Sequence, residues 1–320
     1  MQTIFKGGEL KALCSLVLLV VTTISCFIPI LALGLIKLIP NIRIKTICTN
    51  LVDKIATLWC AINNAYINHI LKIKWDIEGT KNLKAKGWYL VIANHQSWLD
   101  IVVAHRVFNR KIPAIKFFIK DQLKWVPLLG FAWWAMGCPY MKRYTKEYLV
   151  KNPHKKGKDF ESTEKAVNLF KHSPTTIMNF VEGTRYTKAK SKAQGEPYQY
   201  LLKPRAGGIN FVISAMGKQF TNLLDMSIVY PEKNTNLWDF LCGRIKTIKV
   251  HVQELTIPPQ FTEPAASQNE ELQNEFRHWL NENWLKKDAL IEEMLESNYP
   301  HNKLQQHSSK HSEPTLEKVQ

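Results

Sequence analysis

The chain has 320 residues, enough to bury a full core in one large domain with appendages. Its 43 Lys and Arg against 27 Asp and Glu leave a charge of +16, which implies an anionic partner: nucleic acid, a negative membrane surface or a phosphorylated substrate. Six cysteines, at 14, 26, 48, 60, 138 and 242, lie far apart with no C-x-x-C spacing, so neither a disulfide framework nor a zinc site is indicated and a reducing compartment suits the folded part.

The first element in chain order is an apolar run, ALCSLVLLVVTTISCFIPILALGLI, with no charge from Ala12 to Ile36. As a helix it would reach roughly 37 Å, enough to cross a hydrocarbon core of about 30 Å. A cleaved signal peptide would carry an apolar segment of about 7–15 residues and a small-x-small site, whereas this run continues into Lys37. The expectation is a transmembrane helix over 12–36. By the positive-inside rule Lys37, Arg43, Lys45 and Lys54 on its far side lead to the expectation of a cytoplasmic large domain; the membrane expected is a bacterial inner (plasma) membrane.

Residues 44–71 carry Ile44, Ile47, Leu51, Ile55, Leu58, Ile62, Tyr66 and Ile70 at steps of three and four, one helical stripe. That amphipathic helix either returns along or through the membrane face or belongs to the core of the soluble domain. Residues 1–71 are thus expected to be an N-terminal membrane anchor of one or two helices.

From about Lys72 short apolar runs alternate with helical patterns, the mark of an α/β domain over 72–298 with a mixed, largely parallel sheet flanked by helices. Strands are expected at Trp88–Ala93, Ala114–Ile119, Thr175–Val181 and Leu223–Tyr230, with a half-exposed strand where Ile248, Val250 and Val252 alternate with polar residues. Helices are expected from Ser97 or Asp100 through Val107, and over 160–172, 206–216 and 268–295. Leu123–Tyr140 is apolar and aromatic but broken by Pro127, Gly130 and Gly137, which suits an interfacial or tunnel-lining segment better than a membrane-crossing one. The polar tail over 299–320 reads as disordered.

Three polar clusters fall at strand ends: NHQSWLD (Asn94–Asp100), Met141-Lys142-Arg143, and Glu182-Gly183-Thr184-Arg185. In an open α/β sheet the crevice beyond the strand ends is where ligands bind, so clusters distant in sequence converge there. His95 is the one side chain among them able to take a proton near neutral pH. Asp100, if its helix turns back, accepts the Nδ1 hydrogen and stabilises the imidazolium as it forms. Arg143 and Arg185 are fixed, forked cations suited to phosphate oxygens, and Gly183 permits a tight turn close to a ligand. With no G-x-S-x-G elbow and no H-E-x-x-H motif, a histidine base points to direct attack by a substrate hydroxyl.

NHQSWLD resembles the NHxxxxD block, and FVEGTR the FPEGTR-like block, of the glycerolipid acyltransferases, the 1-acyl-glycerol-3-phosphate acyltransferases and their relatives. Order and spacing agree: His95, then YMKR, then FVEGTR, then IVYP where the family carries an apolar strand ending in proline. The stretch IKDQLKWVPLLGFAWWAMGCPYMKR is similar to the lysocardiolipin and long-chain lysophospholipid branch, and the resemblance spans about residues 75–255. Val181 stands where proline is common, and Met141-Lys142 replace the usual apolar pair before Arg143.

The resemblance implies that His95 deprotonates a lysophospholipid hydroxyl, which attacks the thioester of acyl-CoA or acyl carrier protein, while Asp100 orients His95. It further implies that Glu182, Gly183, Thr184 and Arg185, with Arg143, hold the acceptor's phosphate, and that Lys203 and Arg205 add charge there or meet the donor. The expected acceptor is lysophosphatidic acid in phospholipid biosynthesis, with lysocardiolipin, lysophosphatidylglycerol or another lysophospholipid as the alternative. No metal or cofactor is expected beyond the acyl donor as co-substrate, and the expected partners are membrane phospholipids rather than nucleic acid. Two readings from other classes compete. An anionic-ligand-binding module would explain the charge, but the apolar run argues for a membrane surface. A membrane-anchored lipase or esterase would need a serine, and Ser97 is the only one in the first cluster.

Overall fold

The computed structural model describes residues 8–138, 140–141, 174–220, 222–232 and 236–296. The helix expected over 160–172, the Lys142-Arg143 pair and the tail lie outside these residues.

The centre is a six-stranded sheet of order β1-β8-β7-β2-β6-β3. Its strands are β1 (Lys74–Glu78), β2 (Tyr89–Ala93), β3 (Ile115–Phe117), β6 (Thr176–Phe180), β7 (Asn222–Val229) and β8 (Thr247–Leu255). Every neighbouring pair is parallel except β7 and β8, so the sheet is mixed and largely parallel. β4 (Ile119–Lys120) and β5 (Tyr140–Met141) form a separate parallel pair, so the run expected as one strand over Ala114–Ile119 divides between two sheets.

The sequence explains why β2 is central. YLVIA is buried along its whole length, with Tyr89, Val91 and Ala93 in the core on one face and Leu90 and Ile92 in the core on the other. A strand without a polar face needs cover on both sides. α3 (Leu99–Phe108) supplies it on the first face; α6 (Ala206–Met216) and α8 (Glu270–Leu295) supply it on the second. α8 docks through Phe276, Leu280, Trp284 and Ile291, a stripe at helical spacing. β8 alternates as its sequence requires, with Ile248, Val250 and Val252 buried. Because β2, β6 and β7 run the same way, their carboxyl ends share one edge of the sheet.

The N-terminal helices are α1 (Glu9–Ile36) and α2 (Ile42–Tyr66), the latter running on into a π-helical turn over Ile67–Leu71. Among the described residues α1 is the one helix long and apolar enough to cross a membrane. Its packed face is a line of small residues with one isoleucine: Ala12, Ser15, Thr22, Ile30 and Gly34. A Cβ on Gly34 would lie 2.8 Å from the ring of Phe131, which is how α4 (Leu129–Ala135) comes so close. At the other end, Ser15 Oγ lies 2.7 Å from Tyr66 Oη, and Gly8 abuts Cys242 after α7 (Leu237–Leu241). α1 is therefore tied to the domain near both of its ends, while Leu13, Val17, Val20, Ile24, Ile28 and Leu35 face outward.

α2 decides between the two readings of its stripe. Ile47, Leu51, Leu58, Ile62 and, past its end, Ile70 are exposed, whereas the packed face carries Cys48, Val52, Cys60 and Asn64. Ile55 and Tyr66 of the same stripe pack against buried clusters, but most of the stripe lies outside the core.

Candidate functional site

Asn94 ends β2 and fixes the first part of the site. Fully buried, it donates through Nδ2 to Ile228 C=O and accepts through Oδ1 from Ile228 N–H, both at 2.9 Å. This amide pins the end of β2 to β7 and sets where His95 leaves the sheet. The His95 ring stacks on Phe180 of β6, centroids 4.2 Å apart and planes at 17°, and its side chain keeps 16% exposure.

Asp100, in the first turn of α3, is fully buried and saturated with donors. Its Oδ2 lies 2.8 Å from His95 Nδ1 and accepts the backbone N–H groups of Gln96 at 2.6 Å and Ser97 at 2.9 Å. An ionised carboxylate only accepts, so the imidazole must present Nδ1–H to it and leave Nε2 as the basic nitrogen. Oδ1 accepts the hydroxyl of Tyr230 at 2.7 Å. Burial, with Asp100 beside it, raises the Tyr230 pKa well above the ordinary phenol range, so the hydroxyl stays protonated and donates. Ser97 is buried, and its Oγ accepts Leu99 N–H at 3.2 Å at the start of α3.

The EGTR loop follows β6, beside the histidine. Glu182 is 1% exposed, and its Oε1 accepts the His95 backbone N–H at 3.2 Å. Tyr186 N–H in turn donates to His95 C=O at 2.7 Å, so the two motifs are stitched together through their backbones. Burial pushes the Glu182 pKa up to about 8, against the pull of the His95 and Leu202 backbone N–H groups and of Lys287. Gly183 holds φ +70°, and a Cβ there would stand 3.0 Å from Arg205 Cδ, so glycine serves both the turn and the passage of Arg205.

Farther out the groups are cationic and exposed. The Arg185 guanidinium lies 5.0 Å from the ring centroid of Trp98, whose indole is mostly exposed, two residues before Asp100. Lys190, in the short helix α5 (Lys188–Ala193), donates to Thr184 Oγ1 at 2.7 Å and to Arg185 C=O at 2.9 Å. Arg205 is the N-cap residue of α6, its backbone N–H bonded to Val181 C=O at 2.7 Å. Lys203 stands on the same loop, its N–H on Gln194 Oε1 at 2.8 Å.

That loop is clamped by α8. Asp288 accepts the N–H groups of Gln199 at 2.8 Å and Tyr200 at 2.9 Å, and Trp284 Nε1 donates to Leu202 C=O at 3.0 Å. Beneath it Lys287, fully buried, donates to Asp225 Oδ1 at 2.5 Å and to Met226 C=O at 2.7 Å.

Of the residues expected from sequence, the structure brings together His95, Asp100, Glu182, Gly183, Thr184, Arg185, Lys203 and Arg205 at one sheet edge; Arg143 lies outside the described residues. Glu182 stands apart from the rest of its motif, because a buried carboxyl bonded to the His95 backbone faces the interior. Sequence reading missed Tyr230, Trp98 as a seat for Arg185, Lys190 and the α8 clamp. Only Tyr230 carries a local signal, a hydroxyl at a strand end directly before Pro231. Among the described residues no cluster of three or more His, Cys, Asp or Glu could hold a metal ion.

A partly exposed His95 bonded to a buried Asp100 at the carboxyl ends of parallel strands, with Arg185 and Arg205 nearby, is an arrangement suited to acid–base chemistry beside an anionic ligand. The acyltransferase family model matches residues 74–230, and proteins similar to this chain across two thirds or more of its length are glycerolipid acyltransferases. The chain is 27% identical to mouse 1-acyl-sn-glycerol-3-phosphate acyltransferase epsilon over 245 residues, covering 68% of this chain and 60% of that protein. It is 25% identical to the 1-acyl-sn-glycerol-3-phosphate acyltransferase of Saccharomyces cerevisiae, covering 71% of this chain and 80% of that one. To mouse lysocardiolipin acyltransferase 1 it is 28% identical, with coverage of 75% and 62%. The match thus spans about three fifths of the length of both mouse relatives. The crystal structure of the 1-acyl-sn-glycerophosphate (LPA) acyltransferase PlsC from Thermotoga maritima aligns with a TM-score of 0.47 at 16% identity, covering 88% of this chain and 99% of that one.

Proposed function

We propose that this chain is a membrane-bound O-acyltransferase that moves a fatty acyl group from acyl-CoA or acyl carrier protein to the free hydroxyl of a lysophospholipid, 1-acylglycerol-3-phosphate first. The observation that carries the reading is the 2.8 Å His95–Asp100 contact, which leaves Nε2 as the basic nitrogen of a partly exposed ring. Nε2 takes the proton of the acceptor hydroxyl as its oxygen attacks the thioester carbonyl. The tetrahedral adduct then expels the thiolate, which recovers the proton from the imidazolium. Asp100 holds the ring in one tautomer throughout and offsets its charge. A positioned base contributes about 10²–10⁴-fold, and holding donor and acceptor together contributes at least as much, so no acyl-enzyme is required.

Arg185 is assigned to the acceptor phosphate, with Lys190 beside it, and Lys203 and Arg205 are assigned to add charge there or to meet the donor; Arg143, outside the described residues, is assigned to the phosphate from its motif alone. Gly183 and Thr184 shape that loop. Glu182 is assigned the inner wall, where its buried carboxyl holds the His95 backbone and is turned away from the exposed cations. The outward apolar faces of α1 and α2 support membrane attachment, with the sheet domain on the cytoplasmic side. Because α1 is tied to the domain near both ends, it is read as embedded alongside the domain rather than leading away from it.

The test is a panel of acceptors (1-acylglycerol-3-phosphate, lysophosphatidylglycerol and lysocardiolipin) with acyl-CoA and with acyl carrier protein. Transfer to 1-acylglycerol-3-phosphate above the other acceptors is expected. Preference for lysocardiolipin would replace the first acceptor by the second, and no transfer to any acceptor would overturn the reading.

A further inference from the structure

We propose that the segment from Leu123 to Trp134 is a second membrane-contact element, seated in the headgroup region of an anionic phospholipid bilayer beside α1. The proposal rests on α1's outer face meeting lipid and does not depend on acyl transfer. The segment turns its apolar side chains out of the protein. Trp125 is 80% exposed and Leu128 58%, with Leu123, Leu129 and Trp134 also open.

The backbone is built to hold them there. Leu128 adopts φ +63° and ψ −54°, and the Leu129 N–H donates to Pro127 C=O at 2.7 Å. This is the strained, positive-φ form of the γ-turn, which an L side chain rarely adopts. The loop closes on glycine alone: a Cβ on Gly130 would stand 2.1 Å from the Lys124 carbonyl oxygen. The Tyr140 hydroxyl donates to the Gly130 C=O and fixes the turn from the other side. A leucine held at positive φ and more than half exposed leaves most of its side chain without burial in the protein. Hydrocarbon would supply that burial.

Two observations choose the bilayer as occupant. First, the segment is continuous with the lipid-facing surface. α4 lies on the C-terminal half of α1, with Phe131 against Gly34 and edge-on to Phe27 at 6.4 Å, and Lys37 Nζ donates to Ala135 C=O at 2.8 Å. Secondly, its charge suits an interface. Lys124 Nζ lies 5.4 Å from the Trp125 ring centroid while bridging to Asp121 at 3.0 Å. An ammonium over an exposed indole suits the level where phosphates meet the glycerol backbone, and the chain's charge of +16 favours an anionic leaflet.

The test uses the full chain carrying Cys14→Ser and Cys26→Ser, the other four cysteines being buried. Single reporter cysteines are placed by Trp125→Cys, Leu128→Cys, Val21→Cys on the outer face of α1, and Leu285→Cys on the exposed side of α8. Each is labelled with a polarity-sensitive fluorophore and reconstituted into phosphatidylcholine–phosphatidylglycerol vesicles. Probes at 125 and 128 are expected to shift to the blue and lose emission to a lipid-borne quencher, as at 21, while the probe at 285 responds only to an aqueous quencher. If 21 is lipid-quenched but 125 and 128 behave like 285, the segment faces water and the proposal fails. Shielding of 125 and 128 from both quenchers would mean a protein cover and would equally overturn it. If 21 also stays in water, the lipid-facing reading of α1 falls, and the proposal with it.

Discussion

The inner and outer halves of the site are built on opposite principles. Inside, Asp100 is fully buried and holds four donors, Asn94 is bonded on both sides of its amide, and Glu182 is 1% exposed. Outside, Arg185, Lys190, Lys203 and Arg205 are exposed, and the Arg185 head rests on an indole rather than on a carboxylate. A proton-transfer centre needs one geometry, and burial with saturated hydrogen bonding enforces it. A phosphate-binding rim needs cations that are free to close on a ligand, and a salt-bridged arginine would first have to be released. The contrast predicts that changes to the inner half lower kcat, whereas changes to the outer half raise the acceptor KM.

Among the residues that position His95, the largest effect is expected from Asp100→Asn. An amide would turn an N–H toward donors or force the other imidazole tautomer, so kcat should fall by about 10²–10⁴-fold with the acceptor KM little changed. Steady-state kinetics at saturating donor checks this, and a pure KM effect would break the division between the halves.

Tyr230→Phe comes next. It removes one neutral donor from a buried carboxylate, a loss of about 1.5–3 kcal/mol where a charge is involved, or roughly 10–100-fold in kcat. Thermal unfolding of the same variant separates a positioning loss from general damage. An unchanged kcat would take Tyr230 out of the inner half.

On the outer side, Arg185→Ala should raise the acceptor KM by roughly tenfold with kcat largely kept. Trp98→Ala should raise it a few-fold, as an exposed cation–π contact is worth about 0.5–1 kcal/mol. The double variant should match Arg185→Ala alone, because Trp98 is assigned to act through that arginine; additive effects would show an independent role.

The remaining effect concerns stability rather than rate. The Glu182 carboxyl ionises at about 8 in the fold against 4.5 ordinarily. Between those values the unfolded chain has lost the proton and the folded chain keeps it, so this group lowers stability as pH rises. Glu182→Gln keeps the oxygen that accepts His95 N–H but cannot ionise. Its melting temperature relative to the parent should therefore climb from pH 5 to pH 8, as differential scanning at several pH values would show. A flat difference would mean that Glu182 ionises freely in the fold.

How far each half was legible in the sequence follows from the range of the contacts. β2 and β6 were readable because WYLVIA and TTIMNFV are short stretches rich in β-branched and aromatic residues, of strand length, and the polar motifs follow directly from their ends. The His95–Asp100 pair was readable because five residues and a helix start bring it together. Tyr230 reaches Asp100 across 130 positions, and Asp288 reaches Tyr200 across 88, which no local pattern encodes. In α2 the periodicity defined a stripe but not its neighbour; burial on the opposite face reveals that most of the stripe looks outward. The burial of Glu182 was hidden for a related reason, since EGTR reads as a polar turn until the His95 backbone is seen to occupy its carboxylate.

The central claim is that His95 activates the acceptor directly, without an acyl-enzyme. Its most direct measurement is transfer of a labelled acyl group from acyl-CoA to 1-acylglycerol-3-phosphate by the parent, His95→Ala and Ser97→Ala chains at equal folded concentration. The account predicts a loss of about 10²–10⁴-fold for His95→Ala and near-parental transfer for Ser97→Ala, with no label retained on the protein. Undiminished transfer by His95→Ala, or label held covalently by the parent and lost with Ser97, would contradict it.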